Sequence, residues 1–388
     1  VLFRSMNGKK IGIITYFYFY NYGTMLQGFA TQLLLSRFKD VDAELIDYRF
    51  GTKTAPRKLD VFLIRLKRLL VYFKEFRRVY YTGKYSALKL HRNIYFDQFV
   101  SKYLKLSPKR YMYENEIAED APKYDIYVTG SDQTWSPKIG FSPALFLNFA
   151  SKDSIKAAYA PSLGVSSLTE EQLDYIGKEL QKYDFLSCRE ALGSEMLEKV
   201  TGRSIETVLD PTLMIRSEEW LRYARKSMIN GKYILCYFLG DRDYYRDYVA
   251  QLSKQTGLPV YYIPVSWKDF KKSNNLLWEV GPSEFLGLIA NAEVVCTDSF
   301  HGTIFSVNFH KEVRVFVKHA GNVSSGDNSR LFDILKRLGI EKQLITEYKS
   351  GTEIKDTQID YQHVDELLFA EREKSMKYVE SIVNSVKS

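Results

Sequence analysis

The residues best placed to do chemistry lie at ends of apolar runs. Val294 to Phe309 reads VVCTDSFHGTIFSVNF. Val294, Val295 and Cys296 suit a strand buried on both faces, and Thr303, Ile304, Phe305, Val307 and Phe309 suit an apolar-faced helix. His301 and Gly302 fall at the turn between them. In an open α/β sheet that turn lies at the carboxyl end of a strand, where ligands bind. Free N–H groups of the helix start face any anion there. An imidazole beside them can give or take a proton near neutral pH. The same place equally suits a packed or capping histidine. Arg189 has a similar position. It follows the short strand Phe185–Cys188 and opens the helix REALGSEMLEKV. Its guanidinium points into the crevice region or pairs with Glu190 or Asp210 at the surface.

Two more clusters follow the same logic. After the strand Tyr124–Thr129 comes GSDQTWSP, in which Gly130, Ser131 and Asp132 form a tight polar turn. Gln133 and Trp135 extend it into a polar cluster with an aromatic platform, or it is simply an Asx-type turn. The loop FYFYNYG (17–23) joins the strand Lys9–Thr15 to the helix Thr24–Phe38. Asn21 there caps the helix or bonds a hydroxyl, and Gly23 lets backbone approach a ligand. This loop is not a G-x-G-x-x-G fingerprint, so a dinucleotide site is not supported.

The elements carrying these groups alternate. Strands at 9–15, 43–48 and 124–129, then 233–239, 259–264, 294–296 and 313–317, are interleaved with helices at 24–38, 169–183, 241–256, 281–292 and 330–338. Such alternation in both halves predicts an α/β chain of two parallel-sheet domains facing each other. The boundary is expected after Leu213, giving domains 6–213 and 214–388, with a terminal helix over 363–386 in the second. Thr207–Thr212 reads as a strand end with an Asp210–Pro211 turn.

The chain has 388 residues, 45% hydrophobic and 26% charged, as for a globular protein of two domains. It holds 29 Tyr and 24 Phe, and tyrosine suits both amphipathic ligands such as sugars and plain β structure. The net charge of +8 is local: residues 53–110 alone hold 16 Lys or Arg against Asp60, Glu75 and Asp97. The rest is therefore acidic, which argues against a nucleic-acid-binding surface spread over the molecule. Within the basic part, Val61 to Tyr80 reads as an amphipathic helix or helix pair, either an inserted hairpin or a peripheral membrane contact. Cys188, Cys236 and Cys296 make neither a disulfide framework nor a zinc pattern, so a reducing cytoplasm is expected. No metal is expected from His91, His301, His310, His319 and His363. No apolar run reaches the roughly 18 residues of a membrane span, and no signal peptide is visible. Met6 reads as a natural start, with Val1–Ser5 a remnant.

NYGTMLQGFATQ (21–32), VTGSDQTW (128–135), SCRE (187–190), VLDPTL (208–213) and TDSFHGTIFS (297–306) occur in this order. Together they resemble the polysaccharide pyruvyl transferase family over most of residues 11–338. The resemblance implies two Rossmann-like domains facing a cleft, as in GT-B glycosyltransferases; residues 53–110, the part it covers least, read as a basic helical insert in the first. It implies transfer of a pyruvyl group from phosphoenolpyruvate, a co-substrate and the sole small-molecule requirement, to a sugar. The acceptor belongs to a surface polysaccharide or its lipid-linked precursor, the product is a ketal, and phosphate leaves. The expected location is the cytoplasm, including the inner face of the membrane. The resemblance makes His301 the catalytic residue and Arg189 a donor-binding one. Some members carry an arginine two residues before the histidine, where this chain has Ser299. Lys318 and Arg330 are the candidates to replace it, with Gly302 completing the donor side. The insert and Asn21, Tyr22, Asp132, Gln133 and Trp135 fall on the acceptor side. The alternatives are a nucleotide-sugar glycosyltransferase and a non-catalytic glycan-binding relative.

Overall fold

β1 (Lys9–Ile14, KKIGII) is apolar from Ile11 onward because neighbours cover both its sides and both faces. It pairs in parallel with β2 (Val41–Tyr48) through Ile11 opposite Ala43, and with β4 (Ile126–Thr129) through Ile11 opposite Ile126. β3 (Leu106–Tyr111) and β5 (Ile155–Ala158) close the sheet in the order β3-β2-β1-β4-β5, all parallel. A bridge from Ala157 to Phe185 extends this sheet toward the short parallel pair β6 (Ser187–Cys188) and β7 (Glu206–Thr207). The computed structural model describes residues 8–49, 83, 87–265, 269, 275–318, 327–355 and 357–386.

The second half repeats the plan. β8 (Ile234–Tyr237), β9 (Val260–Tyr262), β10 (Val294–Thr297), β11 (Glu312–Phe316) and β12 (Leu344–Ile345) form a sheet in the order β12-β11-β10-β8-β9. Every pairing in it is parallel. In each sheet the winding reverses once, between β1 and β4 in the first and between β8 and β10 in the second. Loops that leave the sheet at such a reversal splay apart and open a crevice at the carboxyl ends. The expected architecture, two Rossmann-like α/β halves in a GT-B-like arrangement, is what the strand order describes.

Aromatic packing locks the halves together. Tyr22, first residue of the helix Tyr22–Leu35, stacks on Phe285 with ring centroids 4.4 Å apart and meets Tyr237 edge-on. Its hydroxyl donates to the Val280 carbonyl at 2.9 Å. One apolar cluster runs from Ile11 and Leu26 through Trp220 to Phe285 and Ile304. The terminal helix, Tyr361–Asn384, bonds to both halves. Arg372 donates to Leu213 O and Asn308 Oδ1, Ser375 Oγ accepts from Leu209 N, and Tyr378 donates to Ala158 O.

The basic segment 53–110 is not wholly a helical insert. Residues 87–103 are helical, but 106–110 belong to β3, the edge strand of the first sheet. Its polar sequence SPKRY hid it from a search for apolar alternation, yet charges suit an edge strand because they discourage pairing with another chain. The amphipathic stretch 61–80 lies outside the described residues. Cys188, Cys236 and Cys296 are buried free thiols. Among the described residues no helix is long and apolar enough to cross a membrane.

Phe285 is fully buried and carries the Tyr22 stack. Phe285→Ala is expected to lower the unfolding free energy by about 3–5 kcal/mol, measured by urea denaturation. A loss below ~1 kcal/mol would mean that this stack does not join the halves.

Candidate functional site

VLDPTL forms a buried end after β7. Pro211 occupies the first position of the short helix Pro211–Met214, and Asp210 caps it. Asp210 Oδ1 is used locally, accepting from Thr212 N at 3.0 Å and Thr212 Oγ1 at 2.7 Å. Oδ2 faces the other elements. Arg189 Nη1 donates to it at 2.8 Å. His301 Nε2 lies 3.5 Å away, and Ser131 Oγ 3.4 Å. One carboxylate oxygen thus collects groups from the ends of β4, β6 and β10. Burial opposes its charge, but His301, then Arg189 and the Thr212 amide, outweigh burial and hold the carboxyl well below the usual carboxylate range.

Arg189 is anchored by its own amide, which donates to Pro161 O at 3.0 Å. Its side chain is 2% exposed. The guanidinium lies 4.3 Å over the Phe300 ring, and Nε is 3.5 Å from Glu190 Oε1. Burial disfavours the cation, but Glu190, Asp210 and Asp132 raise its pKa further above the ordinary arginine value. Nη2 has no hydrogen-bond partner among the described residues, and neither has His301 Nε2, whose 3.5 Å approach to Asp210 is an ion-pair distance rather than a good hydrogen bond. Such buried orphans ask for a ligand or a water.

His301 sits in the first turn of the helix Phe300–Asn308, with its ring against Gly23 of the facing helix. A Cβ on Gly23 would come within 2.1 Å of His301 Nδ1. Both helices are capped at this meeting point. Asn21 Oδ1 accepts from Thr24 N at 3.1 Å, and Ser299 Oγ accepts from Gly302 N at 3.3 Å. The positive ends of two helix dipoles therefore converge on the histidine. Beside them Asp132 has φ 69°, and its Oδ2 accepts from Thr24 Oγ1 at 3.1 Å. With its amide oxygen toward Arg330, Gln133 accepts from both Arg330 Nη atoms, at 2.8 and 2.6 Å.

The structure therefore brings His301 and Arg189 together, with Asp132 near, and joins Gln133 to Arg330 across the two halves. Arg189 pairs with both Glu190 and Asp210, in the interior rather than at the surface. Five expected placements change. Trp135 is no platform: it is fully buried and stacks on Phe146 at 5.9 Å. Tyr22 is an interlobe packing residue. Ser299 and Gly302 are spent on each other as helix cap and capped amide. Lys318 faces Asp298, whose carboxylate accepts from Leu239 N at 2.6 Å and Gly240 N at 2.7 Å and ties β10 to β8. Burial pushes the Asp298 carboxyl up while Lys318 opposes. Gly23 does allow a close approach, but to His301 rather than to a ligand, and Asp210, expected only as a surface partner of Arg189, is the site component that pattern reading missed. Among the described residues no cluster of three or more His, Cys, Asp or Glu is placed to hold a metal ion.

The sequence profile of the family described as polysaccharide pyruvyl transferase matches residues 21–318. No curated protein matches the chain. Among solved structures, a putative UDP-N-acetylglucosamine 2-epimerase from Listeria monocytogenes is similar with TM-score 0.49 and 10% identity, covering 98% of this chain and 92% of its own. The Methanocaldococcus jannaschii UDP-GlcNAc 2-epimerase in complex with UDP-GlcNAc and UDP gives 0.48 and 14%, covering 98% and 94%. The E. coli heptosyltransferase WaaC with ADP-2-deoxy-2-fluoro heptose gives 0.41 and 11%, covering 86% and 99%.

Two substitutions test this geometry. Alanine is favoured over glycine in a helix by roughly 0.8–1.0 kcal/mol, so Gly23→Ala would stabilise a helix with room around it. Here the added methyl must displace a buried imidazole, and melting temperature is expected to fall rather than rise. Asp210→Asn removes a carboxyl whose folded pKa is depressed. Its contribution to stability is fully present above the unfolded value near about pH 4 and is lost as pH falls through the lower folded value. The wild-type advantage over Asp210→Asn, about 3–5 kcal/mol for a broken buried pair, is expected to shrink as pH falls below about 4. Urea titrations at each pH check it; an advantage that grows as pH falls below about 4 would contradict the assignment.

Proposed function

The chain belongs to the polysaccharide pyruvyl transferase family, and on that footing we propose that it moves the pyruvyl group of phosphoenolpyruvate onto a sugar of a surface polysaccharide or its lipid-linked precursor. The observation that carries this reading is the meeting of Arg189 and His301, from different halves, at one oxygen of Asp210, with Arg189 Nη2 buried and without a partner among the described residues and His301 Nε2 held only at ion-pair distance.

The chemistry suits those groups. Phosphoenolpyruvate has a carboxylate and a phosphate on three carbons. The Arg189 fork matches the carboxylate. Arg330, held by Gln133 at the adjoining end of the interface, is the second cation and takes the place that Ser299 leaves open. His301 protonates the enol methylene to a methyl group, leaving an oxocarbenium-like carbon. One sugar hydroxyl attacks that carbon, its C–O bond to phosphate breaks, and a second hydroxyl closes the ketal. Of the two hydroxyl protons released, one replaces the proton that His301 gave and the other leaves with phosphate. Asp210 orients the imidazole, as a carboxylate does in a catalytic triad. Asn21 and Asp132 stay on the acceptor side.

A second reading, a glycan-binding relative without catalysis, has one observation in its favour: the charge of Arg189 is already met by Asp210 and Glu190. Phosphoenolpyruvate separates the two. At about 100 times its dissociation constant a bound donor adds ~2.7 kcal/mol of stability, which the second reading does not expect. With a sugar acceptor present, release of inorganic phosphate is expected from the wild type. His301→Ala is expected to lower that rate by about 10²–10⁴ while donor-induced stabilisation remains. An unchanged rate would remove His301 from the mechanism.

A further inference from the structure

Beside Arg189 the two halves leave a hollow of about 170 Å³. Its inner wall is Glu190, buried, with Oε1 3.5 Å from Arg189 Nε and bonded to Ser162 Oγ. Opposite stands Asp333, whose Oδ1 accepts from Ala191 N at 3.3 Å across the interface. Arg330 completes the inner end, and Gly164, with φ +63°, passes so close to Gln133 that a Cβ would come within 2.9 Å of that amide. Leu163 and Val165 form an apolar side, and Leu192 and Phe332, 38% and 36% exposed, form the rim.

These walls select a chemistry. Carboxylates only accept hydrogen bonds, so a ligand must bring donors to Glu190 and Asp333. Arg330 and Lys336 line the same hollow, so its two carboxylates are balanced by two cations and neither sign of net charge is favoured in a ligand. The rim offers an aliphatic and an aromatic surface, which a flat C–H face covers well. The volume is below the roughly 300–1,000 Å³ of pockets that take drug-sized ligands. A single ring with hydroxyls on its edge and C–H groups on its face meets every condition.

We propose that this hollow seats one uncharged hexopyranose ring of the acceptor, with hydroxyls toward Glu190 and Asp333 and one face on Leu192 and Phe332. Calling the ring the acceptor rests on the pyruvyl-transfer reading; the ring site itself does not. The arrangement puts the sugar against Glu190, whose Oε1 lies 3.5 Å from Arg189 Nε.

The test is saturation-transfer NMR on the full chain with the methyl hexopyranosides of glucose, galactose and mannose as probes, beside thermal melts with phosphoenolpyruvate. At least one glycoside is expected to receive saturation from the wild type. Leu192→Trp fills the hollow and is expected to abolish that signal. Phe332→Ala, a rim change that leaves the core intact and decides the matter if the tryptophan variant does not fold, is expected to weaken binding about tenfold. Donor-induced stabilisation should be the same in all three proteins. The proposal is overturned if no glycoside receives saturation, or if the signal survives both substitutions. Absent donor stabilisation with the glycoside results as expected would keep the ring site and remove the pyruvyl-transfer reading instead.

Discussion

Asp210 Oδ2 is the point at which the molecule is tied. A carboxylate with no exposed side-chain surface costs several kcal/mol to desolvate and persists only when its charge is met in good geometry. Arg189 and Ser131 meet it from the first half, and His301 from the second. These partners stand at the ends of β6, β4 and β10, so satisfying one oxygen sets the positions of three strand ends. The stack of Tyr22 on Phe285 and the continuous apolar cluster then hold the halves at the spacing this ion cluster needs.

That arrangement explains why the crevice expected between the sheets is filled at its centre. Arg189 is almost wholly buried and His301 nearly so. A small dianion could enter only by taking over part of what Asp210 now provides to the guanidinium. The two converging helix starts favour such an exchange, since the region is positive before any side chain is counted. The hollow beside Glu190 gives a larger, uncharged partner a place that does not compete with the carboxylate.

Much of this was legible before any coordinates. His301 and Arg189 stand out because apolar runs stop just before them, and a residue at a strand-to-helix turn of a doubly wound sheet points at the crevice. Asp210 is legible only as a surface partner of Arg189, not as the buried meeting point of the site. Asp-Pro after an apolar run is ordinary turn chemistry, and nothing local says that its second oxygen faces Arg189 and His301. Tyr22 and Trp135 invite a ligand role in the sequence because an aromatic beside a polar motif looks alike whether it meets a sugar, Phe285 or Phe146. Ser299 draws attention through what it replaces, although serine before a helix is a preferred cap and serves as one here. β3 was hidden because an edge strand need not alternate.

The most direct test of the central claim is a crystal structure of the chain with phosphoenolpyruvate bound. The account predicts the donor carboxylate on the Arg189 guanidinium, in part displacing Asp210. It also predicts the methylene carbon within proton-transfer distance of a ring nitrogen of His301, about 2.6–3.2 Å or through one water. A donor bound away from this cluster, or one that contacts Arg189 while His301 stays sealed against Gly23 and Asp210, would contradict it.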